Sequence, residues 1–233
     1  MNIPDRDILL ALGSGSTPES VRHEAGLTTQ EFEKWWDDQL KHRVPDMEGT
    51  KSFPDGGDVE VFRDRWGVPH IYAETEDDLL FGYGYAMAQD RLWQLDYYRR
   101  KAIGRLSEIL GHAGLELDVL SRTVGINRIA ETETNTLSRQ ALDRLESFSR
   151  GINVAMTEVD GALPIEFDLL GYEPEPWSPL DTVAIWGEFR WYLTGRLPII
   201  ALPEVAKRRL GDESLYCAFL TPEAGDESIL NTG

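Results

Sequence analysis

The stretch from Arg63 to Gly111 constrains this chain more than any other. Just before it, Asp58 to Arg63 alternates Val59 and Val61 with polar neighbours, the period of a half-buried strand. Trp66-Gly67 supplies a turn, and Val68 to Tyr72 a second extended piece. Thr75 and Asp78 then form a helix-start signal: a hydroxyl for an orphan N–H, and an acid for the positive end of the helix dipole. In the long helix that follows, Leu79, Tyr83, Ala86, Asp90, Trp93 and Tyr97 share one face at three-to-four spacing. That face reads as a core stripe carrying one acid.

Composition narrows the class. At 233 residues and 41% apolar content the chain buries a sizeable core, as one domain or two. A formal charge of −18 argues against nucleic acid or an anionic membrane as partner, because phosphate binding relies on clustered Lys and Arg. Cys217 is the single cysteine, so an intrachain disulfide and a Cys-based zinc site are excluded. The N-terminal apolar run, Ile8 to Leu12, is too short and too closely preceded by acids for a secretory signal. No run approaches the ~20 apolar residues of a membrane helix. A soluble, cytoplasmic protein is expected, or a periplasmic one if a leader has been removed.

Ahead of the constraining stretch, residues 1–45 read as three short helices: Asp5 to Leu12, Pro18 to Ala25 behind a Thr17 cap, and Thr29 to His42. The pattern looks like a helix-turn-helix. Residues 1–50, however, hold ten acids against five bases, whereas a DNA-binding module shows a basic face. A packing or interaction unit is the preferred reading, with a DNA-binding regulatory module through residues 1–45 as its rival. Arg43 to Gly57, rich in Pro and Gly, is the linker candidate between residues 1–50 and 51–233.

Beyond the long helix, Asp118 to Ile129 reads as one helix, and Ser138 caps an amphipathic helix with Leu142, Leu145, Phe148, Ile152, Met156 and Val159 facing the core. Leu163 to Asp181 is an ordered Pro-rich loop anchored by Phe167, Tyr172 and Trp177. Ser178 or Asp181 caps the next helix, which carries Val183 to Gly195. Glu204 to Leu210 is expected as a last short helix, Leu215 to Leu220 as a strand, and the remainder as loop. The ending at Asn231-Thr232-Gly233 has the look of a cut.

Spacing alone yields no complete catalytic constellation. His23, His42, His70 and His112 are far apart, and none sits at metal-ligand spacing. Gly82-Tyr83-Gly84 lacks the strand and third glycine of a nucleotide fingerprint. Asp90 beside Arg91 is an acid/base pair or, preferably, a buried structural ion pair. His70 is a general base or, preferably, a hydrogen-bonded core or turn histidine.

Three blocks nevertheless resemble the N-terminal signature of the penicillin acylase family of N-terminal nucleophile hydrolases, which includes cephalosporin and acyl-homoserine lactone acylases. They are Arg63-Asp64-x-x-Gly67-Val68-Pro69-His70-Ile71, Ala88-x-Asp90-Arg91-Leu92-Trp93-Gln94-Leu95 with Arg99-Arg100 and Gly104-Arg105-Leu106, and a Pro-rich block from Pro164 to Asp181. The resemblance covers most of residues 58–195 and leaves residues 1–50 outside. It implies an α+β fold: the mainly helical α chain of a four-layer αββα sandwich, with an N-terminal three-helix extension. It further implies a self-cleaving precursor, Gly233 at the processing point, and catalysis by a Ser at the start of a separate β chain, with no catalytic residue in this chain. A terminal amine, whose ordinary pKa is roughly 7.7 to 8.0, then serves as the base for that serine. The same resemblance places Arg190, Trp191, Tyr192 and Leu193 in one wall of the acyl pocket. An aromatic wall suits an apolar acyl group, and Arg190 an acid-bearing one. It implies no organic cofactor, and calcium through Glu204 only weakly, because Pro198 and Pro203 depart from the calcium-binding pattern. The implied partners are the β chain and a small acyl amide. An inactive homologue that acts as a binding scaffold is the other alternative.

Overall fold

The computed structural model describes residues 4–45, 50–53, 58–159, 162–194 and 197–220. It divides into two compact units, residues 1–188 and residues 189–233.

The first unit opens with α1 (Asp5–Gly13), α2 (Pro18–Glu24) and α3 (Thr29–His42), within a residue of the expected bounds. Thr17 Oγ1 accepts from the Ser20 N–H at 3.2 Å, and Thr28 with Glu31 closes a reciprocal capping box. The linker candidate, by contrast, contributes a strand. β1 (Thr50–Ser52) pairs antiparallel with β2 (Val59–Arg63), which pairs antiparallel with β3 (Pro69–Ala73). Val59, Val61 and Arg63 point inward, as their alternation requires. Gly67 takes a positive φ of 76° at the hairpin turn, a conformation glycine adopts without a steric penalty.

Helix α4 (Glu76–Ile103) starts as expected, with Thr75 Oγ1 accepting from the Asp78 N–H at 3.2 Å. Its buried face matches the expected stripe only in part: Ala86 is buried and Trp93 and Tyr97 are half-buried, but Leu79 and Tyr83 are exposed, whereas Phe81, Tyr85, Ala88, Leu92, Leu95 and Asp96 are buried. Arg91 breaks the helix with φ −144° and ψ 26°, and α4 turns a different face inward because it is covered on more than one side. Gly82 lies on the hairpin and Gly84 on the later helix α8 (Arg139–Glu158). Small residues set that helix pair. A Cβ on Gly84 would sit 2.1 Å from the Phe148 carbonyl oxygen, and one on Gly151 2.0 Å from that of Phe81. The side of α8 turned inward therefore carries Ser147, Gly151, Ile152 and Ala155, with Phe148 and Met156 only partly buried.

Between the two long helices lie α5 (Ser107–Leu110), α6 (Leu115–Val124) and α7 (Ile126–Thr136). The single helix expected over Asp118 to Ile129 is split, because Gly125 at φ 81° ends one helix and begins the next. Asp118, buried, accepts from the Leu106 and Ser107 N–H groups at 2.7 and 2.8 Å and so caps α5 from a distance. The Pro-rich loop contains one short helix, α9 (Ile165–Leu170), and leads into α10 (Pro179–Thr194), where Asp181 accepts from the Ser178 N–H and hydroxyl, both at 2.8 Å.

The second unit holds the last turns of α10, then α11 (Leu197–Leu210) and α12 (Glu213–Leu220), which pack on each other. Two expectations fail here. Pro203 lies inside a continuous α11 instead of ending a segment before it, at the cost of one backbone hydrogen bond. Residues 213–220 form a helix, not a strand: Asp212 Oδ1 accepts from the Leu215 N–H at 3.0 Å, and that cap decides what a short apolar run leaves open. Gly195 and Gly233 lie outside the described residues. Among the described residues no helix is long and apolar enough to cross a membrane.

Candidate functional site

The charged centre of the first unit is Asp96, which sequence reasoning passed over in favour of Asp90. Helical spacing of three and four brings Arg99 and Arg100 to the same carboxylate. Arg99 Nε donates to Oδ1 and Arg100 Nε to Oδ2, each at 2.8 Å. All three side chains are at least 95% buried. The Pro-rich loop is fastened to this centre. Tyr172 donates to Asp96 Oδ2 at 2.9 Å, and Arg99 donates to the carbonyls of Glu175 and Pro176 at 2.8 and 3.2 Å. Arg99 also lies over the Trp177 ring and Arg100 over the Tyr172 ring, at 5.3 and 5.0 Å from their centroids. Burial, and then the Asp96 charge, pushes the Tyr172 hydroxyl well above its ordinary range. Asp96 is thus sealed and saturated, an arrangement that positions a loop and leaves it no access to a reacting proton.

Around this centre runs an outer ring of ions. Arg105 binds Glu108 and Glu175, each at 2.7 Å, and its hydrogen bonds hold both carboxyls below the usual Glu range. On the far side Asn153 and Trp177 exchange backbone and amide hydrogen bonds of 2.7 and 2.9 Å, which seats the indole in the core.

Asp90 forms a structural ion pair, but its partner is Arg63 from the hairpin at 2.9 Å and not the neighbouring Arg91. Arg63 also reaches Gln89 and the Gly67 carbonyl, both at 3.0 Å. Gln89 donates to the Tyr85 hydroxyl at 3.0 Å, and Tyr85 to Glu158 at 2.7 Å. This chain of bonds ties hairpin, α4 and α8 together. His70 is exposed in the hairpin, with Nε2 3.3 Å from Asp64 Oδ2. Asp64 is occupied by the Trp66 and Val68 N–H groups, the first of which does most to hold its carboxyl below the ordinary range. The turn-histidine reading fits this geometry.

The residues assigned to the acyl pocket stand on the last turns of α10. Trp191, Tyr192 and Leu193 are 42%, 64% and 44% exposed, and Arg190 is exposed as well. Phe189 next to them is also exposed. A helix surface apolar on several sides is normally covered. Glu204 on α11 is exposed and accepts from Arg208 Nε at 2.8 Å, and among the described residues no three potential ligands gather around a cation site. By itself, Glu204 does not make a calcium site.

The hairpin, α4, the Asp96 centre and the Pro-rich loop all fall within residues 58–224, which match the sequence model of the family described as penicillin amidase. This chain belongs to the penicillin amidase family. Over 190 residues it is 35% identical to the penicillin acylase 2 proenzyme of Pseudomonas sp. (strain SE83), a match covering 76% of this chain and 24% of that protein. It is 30% identical over 198 residues to the acyl-homoserine lactone acylase QuiP of Pseudomonas aeruginosa, covering 84% and 23%. The chain thus spans about a quarter of the length of these relatives. Among solved structures, the thermostable penicillin G acylase of Alcaligenes faecalis is similar with a TM-score of 0.56 and 26% identity, over 80% of this chain and 100% of that one. The expected fold, mainly helical with a small sheet and related to an N-terminal nucleophile hydrolase, is the fold found.

Proposed function

We propose that this chain is the α subunit of a self-processed amidohydrolase, which removes an acyl group from an amide through an acyl-enzyme formed on the N-terminal serine of a β chain. Family membership carries the reading. It is supported by a contrast in coverage: the match takes in all of one solved acylase chain but a quarter of a curated proenzyme, as a chain of about this size cut from a longer precursor would give. In this reading the β chain supplies the nucleophile, the terminal amine that activates it and the oxyanion donors. This chain supplies a rigid frame around Asp96 and a wall for the acyl group.

Trp191, Tyr192 and Leu193 form that wall, and Arg190 meets any carboxylate on the acyl chain. Gly233 is the proposed processing residue. Calcium binding through Glu204 requires oxygen ligands from the partner chain and release of Arg208. The test is hydrolysis by the protein produced from its whole precursor, assayed on a panel of aromatic, aliphatic and carboxylate-bearing acyl amides. Turnover is expected, with Trp191→Ala and Tyr192→Ala each lowering kcat/KM for the preferred acyl group about tenfold. Absence of turnover on every acyl amide of the panel contradicts the proposal.

A further inference from the structure

Residues 4–45 lie outside the family match, yet they are docked on the Pro-rich loop. Ile8 and Leu9 of α1 are 3% and 2% exposed, and α1 packs on α9. The approach is close on both sides. A Cβ on Gly13 would lie 1.7 Å from the Leu169 carbonyl oxygen, and one on Gly171 2.7 Å from Leu10 Cδ2. A second fastening comes from the end of α3. Arg43, whose side chain is only 10% exposed, pairs with Asp168 of α9 at 2.5 Å. Arg43 is itself held by the Gln39 carbonyl and side chain at 2.7 and 2.9 Å, and Gln39 donates to Asp5 at 2.9 Å.

What lies under this contact is the loop that reaches the buried centre. The Gly171 and Tyr172 N–H groups donate to the Phe167 carbonyl at 2.8 and 3.1 Å, and the Phe167 and Tyr172 rings are 5.0 Å apart. Tyr172 is the residue that donates to Asp96. We propose that the N-terminal helices are an intramolecular clamp: by gripping α9 through Gly13 and Arg43, they hold the Pro-rich loop in the register that seats Tyr172 on Asp96.

Hydrogen exchange of the full chain, in whatever assembly it is purified, tests the clamp. Gly13→Ala is the sharper variant, because alanine favours the helix itself and any loosening reports the contact with Leu169. Arg43→Asp reports the ion pair, and Arg43→Asp with Asp168→Arg restores it with reversed polarity. Each single change is expected to speed exchange of the Gly171 and Tyr172 amides about tenfold or more, with α7 amides unchanged and the double variant recovering most of the protection. Unchanged exchange at Gly171 and Tyr172 in both single variants overturns the proposal. So does a rise spread equally over α7, which signifies general destabilisation.

Discussion

Asp96 carries the largest concentration of buried charge in the first unit, and its neutral isostere is the most informative single change. Asp96→Asn leaves two guanidiniums buried against an uncharged group, a loss expected at about 3–5 kcal/mol and measurable by chemical unfolding. If the loss is below about 1 kcal/mol, the carboxylate is not what holds Arg99 and Arg100. Acid should act on the outer ring. Glu108 and Glu175 titrate below the ordinary Glu value of 4.5 because Arg105 binds their charged forms. Below 4.5 the unfolded chain therefore binds more protons than the folded one, and the stability these groups add is present above that value and lost as pH falls through their folded values. Glu175→Gln is accordingly expected to be less stable than the parent near neutrality, with a gap that narrows below pH 4.5; a gap independent of pH contradicts the assignment. Asp96 was legible in principle. An acid three and four residues ahead of a pair of arginines is a readable signal, but the aromatic neighbours of Asp90 drew attention to the wrong turn of the helix.

At the scale of elements, the pairing of α4 with α8 depends on glycines at the contact. Gly151→Ala places a methyl group against the Phe81 carbonyl, where backbone must move to admit it. A loss of about 1–3 kcal/mol is expected, or roughly 2–4 °C of melting temperature per kcal/mol. A variant that melts with the parent sinks the close-packing account. Start signals explain why α2, α3, α4 and α8 were readable in sequence: Thr17, Thr28, Thr75 and Ser138 each accept from a backbone N–H of the following turn. What the sequence hid was tertiary. Which face of α4 is buried depends on α8 and the hairpin, and the helix over residues 213–220 depends on one cap at Asp212 behind a run that fits a strand equally well.

For the whole molecule, the telling feature is the apolar surface at the end of α10. Phe189, Trp191, Tyr192 and Leu193 of the second unit are exposed, a composition typical of the centre of an interface or a ligand wall. The frame within residues 58–224 was recognisable because its motifs combine arginines and glycines whose geometry is demanding: Arg63 on Asp90, Arg99 and Arg100 on Asp96, and Gly104 with a positive φ of 71° at the end of α4. The proposed acyl wall rests on the family resemblance alone, since nothing in the spacing of Arg190 to Leu193 distinguishes a pocket from a packing face. The central claim is that this chain works as one half of a cleaved pair. Intact mass together with N-terminal sequencing of the protein purified from its whole precursor tests it most directly. The expected result is this chain bound to a larger fragment whose first residue is Ser. A single uncut polypeptide that hydrolyses acyl amides, or a co-purifying fragment that begins with a residue other than Ser, Thr or Cys, contradicts it.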